Sequence, residues 1–417
     1  MAHKSNDTWS PEMAQEYLLG SYGAGRKKGM DAVLAALSRL GEPQEKIPII
    51  HVAGTNGKGS FCAMMGAVLA AAGFCVGSFT SPHIEVFNER FTINGEMISD
   101  ADFARHLGRL AEISREMFGE GDGFSYFEYL TMLAFCYFHE QSVDFLLLEV
   151  GIGGKNDCTN VIKSPVLSAI MAIGFDHMEI LGNDLETIAG EKGGIIKKGR
   201  PVAIYDDVPQ VSAVFKRISA EKGVKIYESG AVDLKGLEIG LLGGHQQKNA
   251  AVVVAACHAL QDLGFGISEA DISEGLAKAR HMGRMEIFGN VILEGAHNLQ
   301  GAQAAADNMR QMYEGREITV IMGMMADKEL GKIVNTLAHI ASKIIFTKPH
   351  YDFRAANPKD LADCLQGFEN DVFIEDNCID ALNLAQKTAA SDGMILVIGS
   401  LYLVGDIRAH IRKGDMG

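Results

Sequence analysis

Short, almost wholly apolar runs alternate with amphipathic helical patterns along most of this 417-residue chain, and nothing else constrains its fold as strongly. A run such as "FLLLEV" has no polar face, so it must be covered on both sides, as in a parallel sheet sandwiched between helices. Strands are expected at Ile47–Val52, Cys75–Phe79, Phe145–Val150, Val166–Ile173 and Val202–Tyr205. Between them, "DADFARHLGRLAEISREMF" and "YFEYLTMLAFCYFHEQ" repeat apolar residues every three or four positions, the helical period. After "GLAKARHMGRMEIFG" the alternation restarts, with strands expected at Val291–Leu293, Ile318–Met322, Lys343–Phe346, Val372–Ile374 and Met394–Ile398. The expected fold class is α/β. A P-loop-type doubly wound N-terminal domain would span residues 1–281, and a smaller Rossmann-like α/β C-terminal domain residues 282–417.

The composition, 47% apolar and 22% charged, suits an ordinary globular protein with cores of this size. A net charge of −15 argues against nucleic acid, whose partners carry a broad basic footprint. Seven scattered cysteines without a C-x-x-C pair read as reduced thiols, so a cytoplasmic location is expected. The opening "MAHKSNDTWSPEM" has no apolar signal-peptide core. Gly59 to Ile84 lacks Lys, Arg, Asp and Glu, but Gly73 and Pro82 interrupt it. It reads as a buried helix near residues 60–72, a turn and a strand, not as a membrane span.

"HVAGTNGKGS" follows the first strand and carries the chemistry. A glycine-rich turn between strand and helix lets backbone N–H groups converge on phosphate. The spacing is shorter than the Walker pattern, because only Thr55 and Asn56 separate Gly54 from Gly57, and Gly59 follows Lys58. Lys58 would face the β- and γ-phosphates, while Ser60 or a hydroxyl from another strand would replace the usual magnesium-binding hydroxyl. Thr80 and Ser81 end the next strand at the ligand-binding edge, although taken alone the segment reads better as a helix cap or a turn before Pro82. Glu149 ends an apolar strand, where a carboxylate is costly to bury unless it meets a cation or strong donors; magnesium, a hard ion, suits it. "GIGGKN" at 151–156 nearly matches a dinucleotide fingerprint, but Asn156 stands at the sixth position and no helix clearly opens. Asp176 and His177 follow another strand at the same sheet edge. On periodicity alone Lys192 is a surface lysine and Asn249 a helix cap. Glu294, His297 and Asn298 end a strand of the second domain, as "GSLYLVGDIR" ends the last.

The ordered set "HVAGTNGKGS", "TSPHIEVFNERFTING", "LEVGIGGKNDCTN", "FDHMEILG", "EKGGIIKKG", "GGHQQKNA", "EGAHN", "GMMADKE" and "GSLYLVG" resembles the folylpolyglutamate synthase and dihydrofolate synthase family of the Mur-ligase superfamily. The resemblance runs from about residue 17 to residue 408. It implies an ATP-dependent amide ligase that phosphorylates a folate or dihydropteroate carboxylate and joins L-glutamate to the acyl phosphate. By the same resemblance, Thr55, Asn56, Gly57, Lys58, Gly59 and Ser60 bind the phosphates of ATP, and Asn249, Arg284 and Glu294 contact the nucleotide. Ser81, Glu149 and His177 hold Mg2+, of which two ions are expected. Lys192 is carbamylated and serves as a further metal ligand, and His297 lies near the reacting groups. Phe124, Ser125, Tyr126 and Phe127, with Asn156, Asp157 and Cys158, line the pterin pocket. Glu294 stands where aspartate is usual, and Lys155, Asn156 and Cys158 replace the common Arg, Leu and Ala. A monomer acting on small molecules is expected, with no nucleic-acid or membrane partner.

Two rival readings fit less of the chain. A cell-wall Mur ligase acting on a UDP-sugar peptide needs a further N-terminal domain, and only 53 residues precede Gly54. A P-loop NTPase without ligase activity leaves the second domain and its "EGAHN" edge unexplained.

Overall fold

A computed structural model describes residues 9–21, 27–350 and 354–415. They form two compact units. The first comprises residues up to His83, Phe87–Glu238 and Lys248–Ala279; the second comprises Ile84–Val86, Ile239–Gln247 and the chain from Arg280 onward. The second unit thus takes up two short segments that precede its main body in sequence. One is held by Arg408, whose guanidinium bonds both Glu85 and Glu286.

The first unit is built on an eight-stranded sheet. Its strands are β1 (Ile49–Ala53), β2 (Val76–Phe79), β3 (Phe91–Ile93), β4 (Glu96–Met97), β5 (Phe145–Glu149), β6 (Leu167–Ile170), β7 (Val202–Ile204) and β8 (Ile226–Glu228). The order is β4-β3-β2-β5-β1-β6-β7-β8, parallel except for the β3 and β4 edge. β1 lies between β5 and β6, in register through His51 opposite Leu148 and Ser168. The chain therefore winds away from β1 in both directions, which makes the end of β1 the topological switch point where ligands of such sheets bind. β1, β5 and β6 are buried along their whole length, as their apolar runs require.

The second unit has a six-stranded sheet of β9 (Glu286–Phe288), β10 (Val291–Glu294), β11 (Ile318–Met322), β12 (Lys343–Lys348), β13 (Asp371–Asn377) and β14 (Met394–Ile398). Its order is β13-β12-β11-β14-β10-β9, with only β9 antiparallel. All ten expected strands are present to within a few residues. β3, β4, β8 and β9 were not anticipated; they are two- or three-residue strands at or beside sheet edges and offer no apolar run to read.

The uncharged stretch after Gly59 forms the Lys58–Ala71 helix and β2. Among the described residues, no helix is long and apolar enough to cross a membrane. The Lys58–Ala71 helix packs closely on the Glu269–Lys278 helix, where Gly275 lies against the Val68 backbone.

Candidate active site

The glycine loop sits at the end of β1, and its geometry explains its glycines. Gly54 has φ +151° and Gly57 φ +86°, both unfavourable for other residues. A Cβ at Gly54 would meet Met171 Cβ at 2.7 Å, and one at Gly57 would meet Asn249 Oδ1 at 2.6 Å. Asn249 is therefore no cap. It lies buried within the Gly244–Asp262 helix, a turn past its start, with its amide against the loop. Thr55 and Asn56 donate their backbone N–H groups to Ala172 O (2.8 and 3.2 Å), and Thr55 Oγ1 donates to Gly174 O (3.1 Å). Those two amides brace the loop on the chain after β6. The amides of the first helical turn, from Lys58 onward, have no intrahelical acceptor and carry the positive end of the helix dipole.

Lys58 begins that helix, and its ammonium donates to Gly54 O (3.1 Å) and Thr55 O (3.3 Å). It also lies 3.8 Å from Glu149 Oε1. Glu149, 3% exposed at the end of β5, accepts the Ser81 N–H on Oε2 (3.2 Å). A backbone donor on one oxygen and the Lys58 charge near the other offset the cost of burying this carboxylate. Ser81 lies in the turn after β2, and no helix begins there.

Lys192 departs most from its sequence reading. Far from the surface, it is 5% exposed, in the Leu185–Gly193 helix, and donates to Gly54 O at 3.0 Å. Burial, and then the neighbouring Lys58 charge, push its pKa down to about 7. His177 follows β6 in the left-handed region (φ +49°), beside the Asp176 carboxylate at 3.7 Å. The glycines of "GIGG" serve packing and not a dinucleotide. A Cβ at Gly151 would strike the Phe127 ring at 2.6 Å, and one at Gly154 the Glu191 and Lys192 carbonyls at 2.9 Å. The 151–157 loop is thereby held against the helix that carries Lys192.

The expected pterin-pocket residues divide by exposure. Ser125, Tyr126 and Phe127 are half-buried and Asn156 is exposed, whereas Phe124 and Cys158 are core residues at 2% and 3% exposure. These two have almost no surface to offer a ligand. Asp157 is buried with its carboxylate fully engaged: Ile152 N–H donates to Oδ2 (3.0 Å), and Thr159 N–H and Oγ1 donate to Oδ1 (3.0 and 2.6 Å). Two further residues, Glu128 and His51, support this set. Buried Glu128 accepts from Ser125 N and Oγ (both 2.8 Å) and from Gly29 N (2.8 Å), tying the 27–29 segment to the start of the Tyr126–Glu140 helix. The Ser-x-x-Glu spacing of Ser125 and Glu128 was the available signal. His51 bonds Thr159 Oγ1 at 2.9 Å, a contact invisible until β1 and the 151–161 loop are brought together.

In the second unit, Glu294 ends β10 with its carboxylate gathered by Ala296 N (2.9 Å), Met285 N (3.0 Å) and Arg284 Nη1 (3.2 Å). His297 Nδ1 lies 3.1 Å from Gly295 O, so the proton sits on Nδ1 and Nε2 is the basic nitrogen. Asn298 caps the following Leu299–Met312 helix by accepting the Gly301 N–H (2.8 Å).

A lysine-bearing glycine loop at a switch point, with a buried carboxylate and a buried lysine beside it, suits a phosphate-handling enzyme, and the domain matches make it one of the Mur-ligase class. Residues 52–235 match the Mur ligase middle domain, and residues 283–401 match the Mur ligase, glutamate ligase domain. The dihydrofolate synthase/folylpolyglutamate synthase of Bacillus subtilis is 34% identical, with 96% of this chain and 98% of that protein covered. The folylpolyglutamate synthase of Lacticaseibacillus casei is 32% identical, covering 92% and 94%. Among solved structures, E. coli FolC in complex with DHPP and ADP superposes with a TM-score of 0.87 at 26% identity, covering 97% of this chain and 98% of that one. The bifunctional Yersinia pestis enzyme complexed with AMPPNP and Mn ion gives 0.85 at 28%, covering 97% and 98%. The chain belongs to the folylpolyglutamate synthase/dihydrofolate synthase family, and it is an ATP-dependent ligase that joins glutamate to a folate.

Proposed function

We propose that this enzyme transfers the γ-phosphoryl of ATP to the γ-carboxylate of a tetrahydrofolate, that the amine of L-glutamate displaces phosphate from the acyl phosphate, and that dihydropteroate is a second acceptor. The observation that carries the reading is the Lys58–Glu149 pair, a cation after β1 and a buried carboxylate at the end of β5, 3.8 Å apart beside the glycine loop. Two relatives whose names pair dihydrofolate synthase with folylpolyglutamate synthase support the second acceptor.

Lys58 neutralises charge on the transferring phosphoryl group, and the first-turn amides of its helix orient the phosphates. Ser81, Glu149 and His177 are oxygen and imidazole donors, a set that fits magnesium or manganese. Either ion, when bound, supplies Lewis-acid polarisation of phosphate oxygens. Lys192 joins that set as a carbamate. Its ammonium first loses a proton; the neutral amine then attacks CO2, a C–N bond forms as one C=O π pair moves to oxygen, and a second proton leaves, so a carbamate anion replaces an ammonium that Lys58 repels. By the family resemblance, the second unit's Arg284 and Glu294 are assigned to nucleotide contact and its His297 to the reacting groups.

Phosphate release with glutamate and tetrahydrofolate, against glutamate and dihydropteroate, tests the reading. Release with both acceptors is expected. Release with tetrahydrofolate alone removes the second activity, and equal release without any acceptor overturns the ligase mechanism.

A further inference from the structure

A second group of ligating side chains lies in the second unit, made of none of the residues at the glycine loop. His350 follows β12, Cys378 opens the Cys378–Thr388 helix directly after β13, and Asp406 lies in the Leu401–Asp415 helix after β14. Three connections at the carboxyl edge of one parallel sheet thus deliver one ligand each. His350 Nδ1 is 3.5 Å from Cys378 Sγ and 3.4 Å from Asp406 Oδ2, and Cys378 Sγ is 4.0 Å from Asp406 Oδ2.

Those separations match a coordination polyhedron. With zinc–nitrogen, –oxygen and –sulfur bonds of about 2.0–2.3 Å, the edges of a tetrahedron measure roughly 3.3–3.8 Å. Two edges fall in that range, and the third exceeds it by a few tenths of an ångström. Asp406 is already held, because the backbone N–H of His350 donates to its Oδ2 at 2.8 Å, a support of the kind that orients ligating carboxylates. Cys378 is buried and belongs to the apolar cluster that includes Ala381, Leu382 and Val404, while exposed His350 leaves an entry path and a fourth position for water. A thiolate and an imidazole select a borderline-soft ion over magnesium.

We propose that His350, Cys378 and Asp406 bind a divalent ion of the zinc class, which ties the ends of β12 and β13 to the last helix and stabilises the second unit. The competing arrangement is a His350–Asp406 ion pair with a thiol packed beside it, and the two differ in metal affinity.

The test uses full-length protein stripped with a chelator, held in excess magnesium and titrated with Co2+. One equivalent is expected to give a thiolate-to-cobalt charge-transfer band and the intense visible bands of tetrahedral cobalt, both reversed by zinc. Cys378→Ala removes the charge-transfer band, Cys364→Ala leaves it, and His350→Ala, at an exposed position that tolerates the change, weakens binding by about tenfold or more. Zinc also raises the thermal midpoint of the unaltered protein and not that of His350→Ala. A cobalt spectrum without charge transfer, or a charge-transfer band that survives Cys378→Ala, overturns the site.

Discussion

Lys58 and Lys192 both reach the Gly54 carbonyl, yet their chemistry differs because one is partly open and the other is buried. Two ammonium groups converging on one loop repel each other, and burial adds to the cost of Lys192's charge. A carbamate on Lys192 turns that repulsion into attraction. The paired variants should therefore behave differently. Lys58→Ala is expected to lower turnover on the order of 10³-fold or more, since it removes charge stabilisation of phosphoryl transfer, and added acetate should not help. Lys192→Ala is expected to lose most activity and to regain part of it with acetate or propionate, which supply the missing carboxylate oxygens. Steady-state rates with and without the carboxylate separate the two. Wild-type activity in Lys192→Ala, or equal rescue of both variants, contradicts the carbamate.

Helix packing places the phosphate loop. The Lys58–Ala71 helix lies so near the Glu269–Lys278 helix that a Cβ at Gly275 would stand 2.3 Å from Val68 Cα and 2.5 Å from Val68 N. Both are backbone atoms, so no rotamer change relieves the clash and the helices must separate. Gly275→Ala is expected to destabilise the first unit by about 2–3 kcal/mol, in the range for overpacked cores. Gly190→Ala, in the Leu185–Gly193 helix with open space at its Cβ, should instead gain roughly 0.5–1 kcal/mol from helix propensity. Urea unfolding followed by the fluorescence of Trp9, the chain's single tryptophan and a residue of the first unit, reads both. Equal effects of the two substitutions would show that the close approach does not limit this packing.

Across the whole molecule, acid stability should follow buried imidazoles. Thr159 Oγ1 spends its proton on Asp157, so it accepts from His51 Nε2–H, which leaves His51 Nδ1 bare and without a partner inside the sheet. Burial, and then the Lys197 charge, push the His51 pKa down to about 3. The unfolded chain takes up a proton below about pH 6.5 that the folded chain refuses until near pH 3, so stability falls as pH drops through that window. Between pH 6.5 and 5 this one residue should cost about 2 kcal/mol. His51→Leu should flatten that limb in urea unfolding at the two pH values, whatever its effect at neutrality. An unchanged slope would mean that His51 takes its proton in the folded state.

The sequence by itself determined the fold class, the ten main strands and the phosphate loop, because apolar runs and glycine spacing are local signals fixed by strand burial and turn sterics. The positions of Lys58 and Glu149 were legible for the same reason, since one starts a helix and the other ends a strand, whereas Ser81 in its turn carried no such signal. Tertiary structure alone decided the burial of Lys192, the position of Asn249 within a helix and the enclosure of Phe124 and Cys158. It also decided the His51–Thr159–Asp157 chain and the meeting of His350, Cys378 and Asp406. Each of those depends on which distant segment packs against a residue, and period and spacing carry no record of that. A lysine on a helix looks the same in sequence whether the facing element is water or a glycine loop; Lys192 is buried because its helix packs on the 151–157 loop and its ammonium meets the Gly54 carbonyl.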